Sequence, residues 1–151
     1  PHEKTFSDNK VTLWRWRDDF QNDFAARMDW CTHSYEEANH APVPVLGHPE
    51  EITVKSGEGF GLDASGSTDP DGDSLSFLWF HYPEAGSYRD PITISAENSH
   101  GVWVEGVEVE KDETAHFILK VSDKGEPPIS RYKRIIVNIK KGAVRDLSLL
   151  Y

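Results

Sequence analysis

The 151 residues carry 16 Lys and Arg against 26 Asp and Glu, a formal charge of −10, which argues against a nucleic-acid partner and, less strongly, against an anionic membrane surface. That length suits one domain with a real core plus an appendage, and is short for an α/β-barrel enzyme. No apolar run approaches the roughly 18 residues that insert across a bilayer, and with one cysteine, Cys31, an intrachain disulfide and a CxxC metal knuckle are both excluded.

Residues 1–38 read as a helical lead. The polar start, Pro1 to Lys4, has no initiator Met and no signal peptide, as expected of a fragment or processed chain. Leu13, Trp16, Phe20, Phe24, Met28 and Cys31 then recur by threes and fours, one apolar stripe on a helix. Asp18, Asn22 and Asp29 fall on the opposite side, where they would face water. Arg27 lands near the stripe and needs a partner. The stripe is expected to pack on the body of the protein.

Residues 39–50 form a linker leading into a first extended segment, because Pro42, Pro44 and Pro49 remove donors and push their predecessors out of the helical region. From 51 to 141 the period becomes two. Short apolar-alternating runs at 52–54, 59–65, 75–82, 92–94, 102–107, 116–121 and 134–139 are separated by turn-rich breaks. About seven such strands without intervening helices predict an all-β antiparallel sandwich. Residues 142–151 are a C-terminal tail.

The loop from Asp63 to Asp73 has the sharpest chemistry. Asp69, Asp71 and Asp73 alternate, and Gly72 permits a tight turn. Alternating hard oxygen donors suit Ca²⁺, although the closing Glu and flanking helices of an EF-hand are missing. The same residues equally suit a turn in which Asp side chains cap main-chain amides. Asp123, after the run ending at Val121, can add a carboxylate from across the sandwich end.

The stretch LDASGSTDPDGDSLSFLW at 62–79 resembles the signature of polycystic-kidney-disease (PKD) type immunoglobulin-like domains. LKVSDKGEPPIS at 119–130 resembles the closing hairpin of PKD and cadherin-like domains, and NHAPVP at 39–44 the Asn-x-x-Pro opening of PKD domains. The resemblance implies an Ig/PKD-like β-sandwich behind an N-terminal α-helical segment. In calcium-binding members the matching residues meet at one end, which implies Asn39, Asp69, Asp71 and Asp123 as ligands of Ca²⁺, with Asp73 beside them.

A resemblance over nearly the whole chain is carried by WRWRDDFQNDFAARMDWC at 14–31, then Ala38 to Pro42, then the sandwich. It is similar to the C-terminal region of bacterial cellulose-binding proteins that carry a nucleoside-hydrolase-like domain upstream. This implies a non-catalytic accessory module of a secreted protein, extracellular or periplasmic. Its partners would be polysaccharide, most of all cellulose, and the upstream domain. A structural spacer docked on that domain is the alternative.

Sugar binding requires flat rings against the apolar faces of pyranoses, with polar groups for the hydroxyls. Trp103, Tyr88 and Tyr132 are the expected exposed rings. Leu75, Phe77 and Trp79 are assigned inward, opposite Phe117, Leu119 and Val121, with Ile135, Val137 and Ile139 beyond. Leu78, Phe80, Tyr82, Ile118 and Ile136 then make an apolar outer face for the lead helix to cover. Glu36 with Glu37, or Glu108 with Glu110, are acids of a solvated surface rather than a glycosidase pair. The histidines show no HExxH spacing.

Overall fold

The computed structural model describes residues 15–142. Leu13 and Trp14 of the lead, and 143–151 of the tail, lie outside the described residues. Among the described residues, one α-helix, α1 (Arg17–Trp30), precedes seven strands: β1 (Glu51–Lys55), β2 (Phe60–Asp63), β3 (Ser76–His81), β4 (Ile94–Ser95), β5 (Gly101–Val104), β6 (Glu113–Ser122) and β7 (Ser130–Lys140). They form a four-stranded sheet in the order β1-β7-β6-β3 and a three-stranded sheet in the order β2-β5-β4. This is the β-sandwich that the period-two runs predict, in the Ig/PKD-like form that the resemblance implies, preceded by the helix that the apolar stripe of the lead predicts.

Alternation sets the inner faces. Phe117, Leu119, Val121, Ile135 and Val137 are fully buried. Trp79 joins them, its indole Nε1 donating to the Ser99 carbonyl at 2.9 Å, so the polar end of a buried ring is satisfied. From the smaller sheet come Leu62, Val102 and Val104. Leu75 and Phe77 pack on the same cluster.

Pairing departs from the antiparallel expectation at one edge. β1 runs parallel to β7, with Ile52 opposite Val137 and Val54 opposite Ile139. Hydropathy alternation is the same in parallel and antiparallel strands, so this direction could not be read from β1 itself. The other ladders are antiparallel.

The helix corrects a second expectation. Its apolar stripe does not face the sheet: Phe20, Phe24 and Met28 are 60%, 66% and 53% exposed. The acidic edge faces the sheet instead. Lys120, Ser130 and Tyr132 come to the contact from the outer side of β6 and β7, and Arg131, level with the inward Val121, extends its guanidinium to join them. Asp19 receives Lys120 Nζ at 2.8 Å, Ser130 Oγ at 3.0 Å and the Tyr132 hydroxyl. Asp23 receives Arg131 Nη1 at 2.9 Å and its own helix's Arg27 Nε at 2.8 Å, which supplies the partner Arg27 needs. Pairing those groups turns the phenylalanines outward. Of the stripe, Trp16 at the helix start goes in, 4.9 Å edge-on from Tyr132 and 6.0 Å from Phe80. Asn22 and Asp29, expected in water, are half-buried.

Candidate functional site

The acidic loop closes one end of the sandwich. Asp69 Oδ1 accepts the amides of Asp71 at 2.9 Å and Asp73 at 3.2 Å, while Gly72, with φ of 77°, takes the left-handed position of the turn. Both predicted features of the loop are therefore present, since Asp69 caps amides and the three carboxylates still converge. One oxygen from each of Asp69, Asp71 and Asp73 lies within 4.8 Å of the others. Asp69 Oδ2 is buried and has no hydrogen-bond partner among the described residues. Asp73 is raised above the ordinary carboxylate range by partial desolvation, then by the charges of Asp69, Asp123 and Asp71. An orphaned oxygen and crowded like charges are what a hard cation relieves, so this donor set fits Ca²⁺.

Asp71 is already engaged. Its Oδ2 accepts the His40 main-chain amide at 2.5 Å and its Oδ1 lies 2.7 Å from His40 Nδ1. A carboxylate keeps further lone pairs beyond these two, so it can still ligate.

Asn39 and Asp123 hold the adjoining β6–β7 loop. Asp123 is buried, with Oδ1 accepting the amides of Gly125 at 3.1 Å and Ile129 at 2.9 Å, and Oδ2 accepting Asn39 Nδ2 at 3.1 Å. Asn39 Nδ2 also donates to the Pro127 carbonyl at 2.9 Å. Any Cβ at position 125 would fall on the Asn39 amide, so that close approach requires glycine. The five predicted ligands share one end of the fold: the three loop aspartates converge, and the Asn39–Asp123 pair lies beside them, close enough for the Asp123 charge to act on Asp73. Asn39 and Asp123 face each other.

Of the three predicted rings, only Trp103 is exposed, at 53%. It projects from β5 between the inward Val102 and Val104. Its ring lies over Gly59, where a Cβ would approach to 2.8 Å. Tyr88 packs on the core cluster, and burial, then the Asp90 charge, raises its hydroxyl pKa. Tyr132 is half-buried under Trp16; burial first, then its bond to Asp19, raises its pKa strongly. The expectation that Tyr88 and Tyr132 are open platforms is thus corrected, because alternation turns Tyr132 outward where α1 covers it.

A different aromatic group emerges after the helix. Tyr35 is 74% exposed and Trp30 39%. The Tyr35 ring centroid lies 4.0 Å from that of His40, and Trp30 stacks on His40 at 6.1 Å and 16°. Tyr35 sits in turns between α1 and the proline-rich linker. It has no periodicity to mark it; the one sequence signal is a ring where no element exists to bury it.

A family profile, described as the C-terminal domain of cellulose-binding protein Sde0182, matches residues 59–139. A solved nucleoside hydrolase-related protein of Saccharophagus degradans, associated with carbohydrate metabolism, superposes with a TM-score of 0.83 at 37% identity, over 88% of this chain and 34% of that one. The chain thus spans about a third of that relative's length. A solved PKD domain from the KIAA 1837 protein aligns at a TM-score of 0.45 and 25% identity, over 66% of this chain and 89% of that one. No curated protein matches the chain. With the profile covering more than half of its residues and all of β2 to β6, the chain belongs to the family of the Sde0182 cellulose-binding protein C-terminal domain.

Proposed function

We propose that this chain is a non-catalytic accessory module that binds polysaccharide, a cellulose-like β-glucan, within a secreted multidomain protein, extracellular or periplasmic. The observation that carries the reading is Trp103, a large flat ring more than half exposed on a rigid strand. Its backing by Gly59 holds the ring in place, so little side-chain freedom is lost when a sugar stacks on it. Kinship with a cellulose-binding family supports the same ligand class. The acids at 108 and 110 lie on an open surface, where Glu108 accepts the Ser56 hydroxyl at 2.7 Å. Glu37 likewise accepts the Ser34 hydroxyl, at 2.8 Å. Neither arrangement sets an acid and a base across one bond. The test is retention on crystalline cellulose at moderate salt. The native chain is retained and Trp103→Ala is retained less; no retention of the native chain would sink the reading.

Ca²⁺ bound by Asp69, Asp71 and Asp73 is part of this proposal, supported by the orphaned Asp69 Oδ2 and the crowding at Asp73. There the cation would neutralise the loop and stiffen that end of the fold.

The second reading, a spacer docked on a preceding nucleoside-hydrolase-like domain, is favoured by the outward stripe of α1. Phe20, Phe24 and Met28 form an exposed apolar face of the kind that marks protein contacts. The two readings are compatible, since Trp103 projects from the smaller sheet and α1 lies on the larger one.

A further inference from the structure

The turn after α1 carries an exposed ring without a packing reason. Tyr35 is the most exposed of the large apolar side chains among the described residues, yet it is not loose. Its ring rests on His40, and His40 is fixed by Asp71 through both its main-chain amide and its imidazole. Trp30 stacks on the same imidazole and is fixed in turn by Nε1 donating to the Asn39 carbonyl at 2.7 Å. Trp30 and His40 are thus anchored by polar contacts, and Tyr35 leans on the largely covered imidazole while its own outer surface stays open, so the exposed rings rest on a fixed base, as in a preorganised binding surface.

Two hollows meet at Tyr35. One, about 360 Å³, is lined by Trp30, His33, Tyr35 and His40. The other, about 560 Å³, continues past Tyr35 into a trough with Glu36, Glu37, Asp71, Asp73 and Glu126. The first presents flat carbon surface and the second hydrogen-bond acceptors. Pyranose rings offer the complement of each, with C–H faces for the rings and hydroxyl donors for the carboxylates. Glu36, Glu37 and Glu126, the acids of this trough that the Ca²⁺ proposal leaves free, repel uronates and sulfated sugars, so the matching ligand is neutral.

We infer that Trp30, Tyr35 and His40, with the acidic trough beside them, form a second glycan-binding cleft that takes a neutral β-linked glucan chain. The inference rests on the polysaccharide-binding reading and adds a site on a different face from Trp103. An aromatic cage for a quaternary ammonium would need rings closing round the ligand from several sides. Here Trp30 and Tyr35 both pack on the His40 imidazole, at 16° and 38° to it, so the rings pile on one another and leave only the outer faces of Trp30 and Tyr35 to a ligand rather than closing round it.

The experiment titrates the whole chain with cellohexaose, following amide shifts by NMR, in the native protein and in the Tyr35→Ala and Trp103→Ala variants. Shifts at residues 30–40 and 69–73, with affinity for that site about tenfold weaker in Tyr35→Ala and unchanged in Trp103→Ala, are expected. Equal binding by native chain and Tyr35→Ala, with shifts confined to the neighbourhood of Trp103, would overturn this cleft and leave the polysaccharide reading standing. No binding of cellohexaose or insoluble cellulose by any variant would remove both. Oligogalacturonate or choline binding at residues 30–40 as tightly as cellohexaose would also overturn the assignment, since either contradicts a neutral glucan as the ligand.

Discussion

Asp19 and Lys120 lie 101 residues apart and meet with the ammonium 2.8 Å from both carboxylate oxygens. Tyr132 and Ser130 complete the cluster, so one acid of α1 answers three donors of β6 and β7. Burial pulls the Asp19 carboxyl up, and the Lys120 and Tyr132 hydrogen bonds, with the Lys120 charge, more than offset it and hold the group below its ordinary range. Removing the acid leaves a half-buried ammonium and phenol without their acceptor. Asp19→Ala should therefore cost about 1–3 kcal/mol. Asp23→Ala, whose partners are the more exposed Arg27 and Arg131, should cost about 1 kcal/mol or less. Urea midpoints read both, and accelerated proteolysis between Cys31 and Ala38 in Asp19→Ala would report release of the helix.

Stability should fall in two stages as pH is lowered. His81 and His116 are held below the ordinary histidine value of 6.5, in each case chiefly by burial. The neutral rings suit the folded state, so their contribution is complete above about pH 6.5 and is lost as pH falls from there through the lower folded values. Asp19 and Asp23 are likewise lowered from 3.8, so their contribution is present above that value and disappears below it. A plot of Tm against pH should decline first below 6.5 and again below 3.8. His81→Phe should reduce the first decline, leaving the His116 part of it, and leave the second, whereas an unchanged first decline would show that His81 does not titrate there.

The acidic end separates metal binding from structure. A cation bound only by the folded chain adds about 2.7 kcal/mol at a hundred times its dissociation constant. Ca²⁺ should raise Tm in the native chain and leave Asp69→Asn/Asp71→Asn unchanged. Asp123→Ala should lower Tm by the same amount with Ca²⁺ or with chelator. It removes the acceptor of two main-chain amides and of Asn39, worth roughly 2–3 kcal/mol. Identical native melting with and without Ca²⁺ would dismiss the cation and leave Asp69 as a turn cap.

Much of this was legible in the residues. The period-two runs locate all seven strands, and the inward set around Trp79, Phe117 and Leu119 follows from alternation alone. Convergence of Asp69, Asp71 and Asp73 follows from their spacing around a Gly turn. What periodicity cannot supply is the partner. It shows that Phe20, Phe24 and Met28 share a face of α1, but the choice of face was made by Lys120, Arg131 and Tyr132, far along the chain. For the same reason Tyr132 looked exposed until a helix lay over it. Tyr35 cannot be singled out in the sequence, because an exposed ring in a turn belongs to no pattern at all.

The outward stripe of α1 makes the last prediction. Phe20 and Phe24 are 60% and 66% exposed, so Phe20→Ser/Phe24→Ser removes little buried surface within this chain. Its stability should change by about 0.5 kcal/mol or less per site, the range of ordinary surface substitutions. If the stripe instead seats on a preceding domain, the same rings would be central contacts there, where loss of an aromatic anchor costs about 2 kcal/mol or more. Mixing the chain with a separately produced nucleoside-hydrolase-like domain, followed by sedimentation, reads this directly. The native chain should associate and the double variant should not, with both melting alike. Equal association would remove α1 from the interface, and a steep fall in Tm would mean that the two phenylalanines belong to the core of this chain after all.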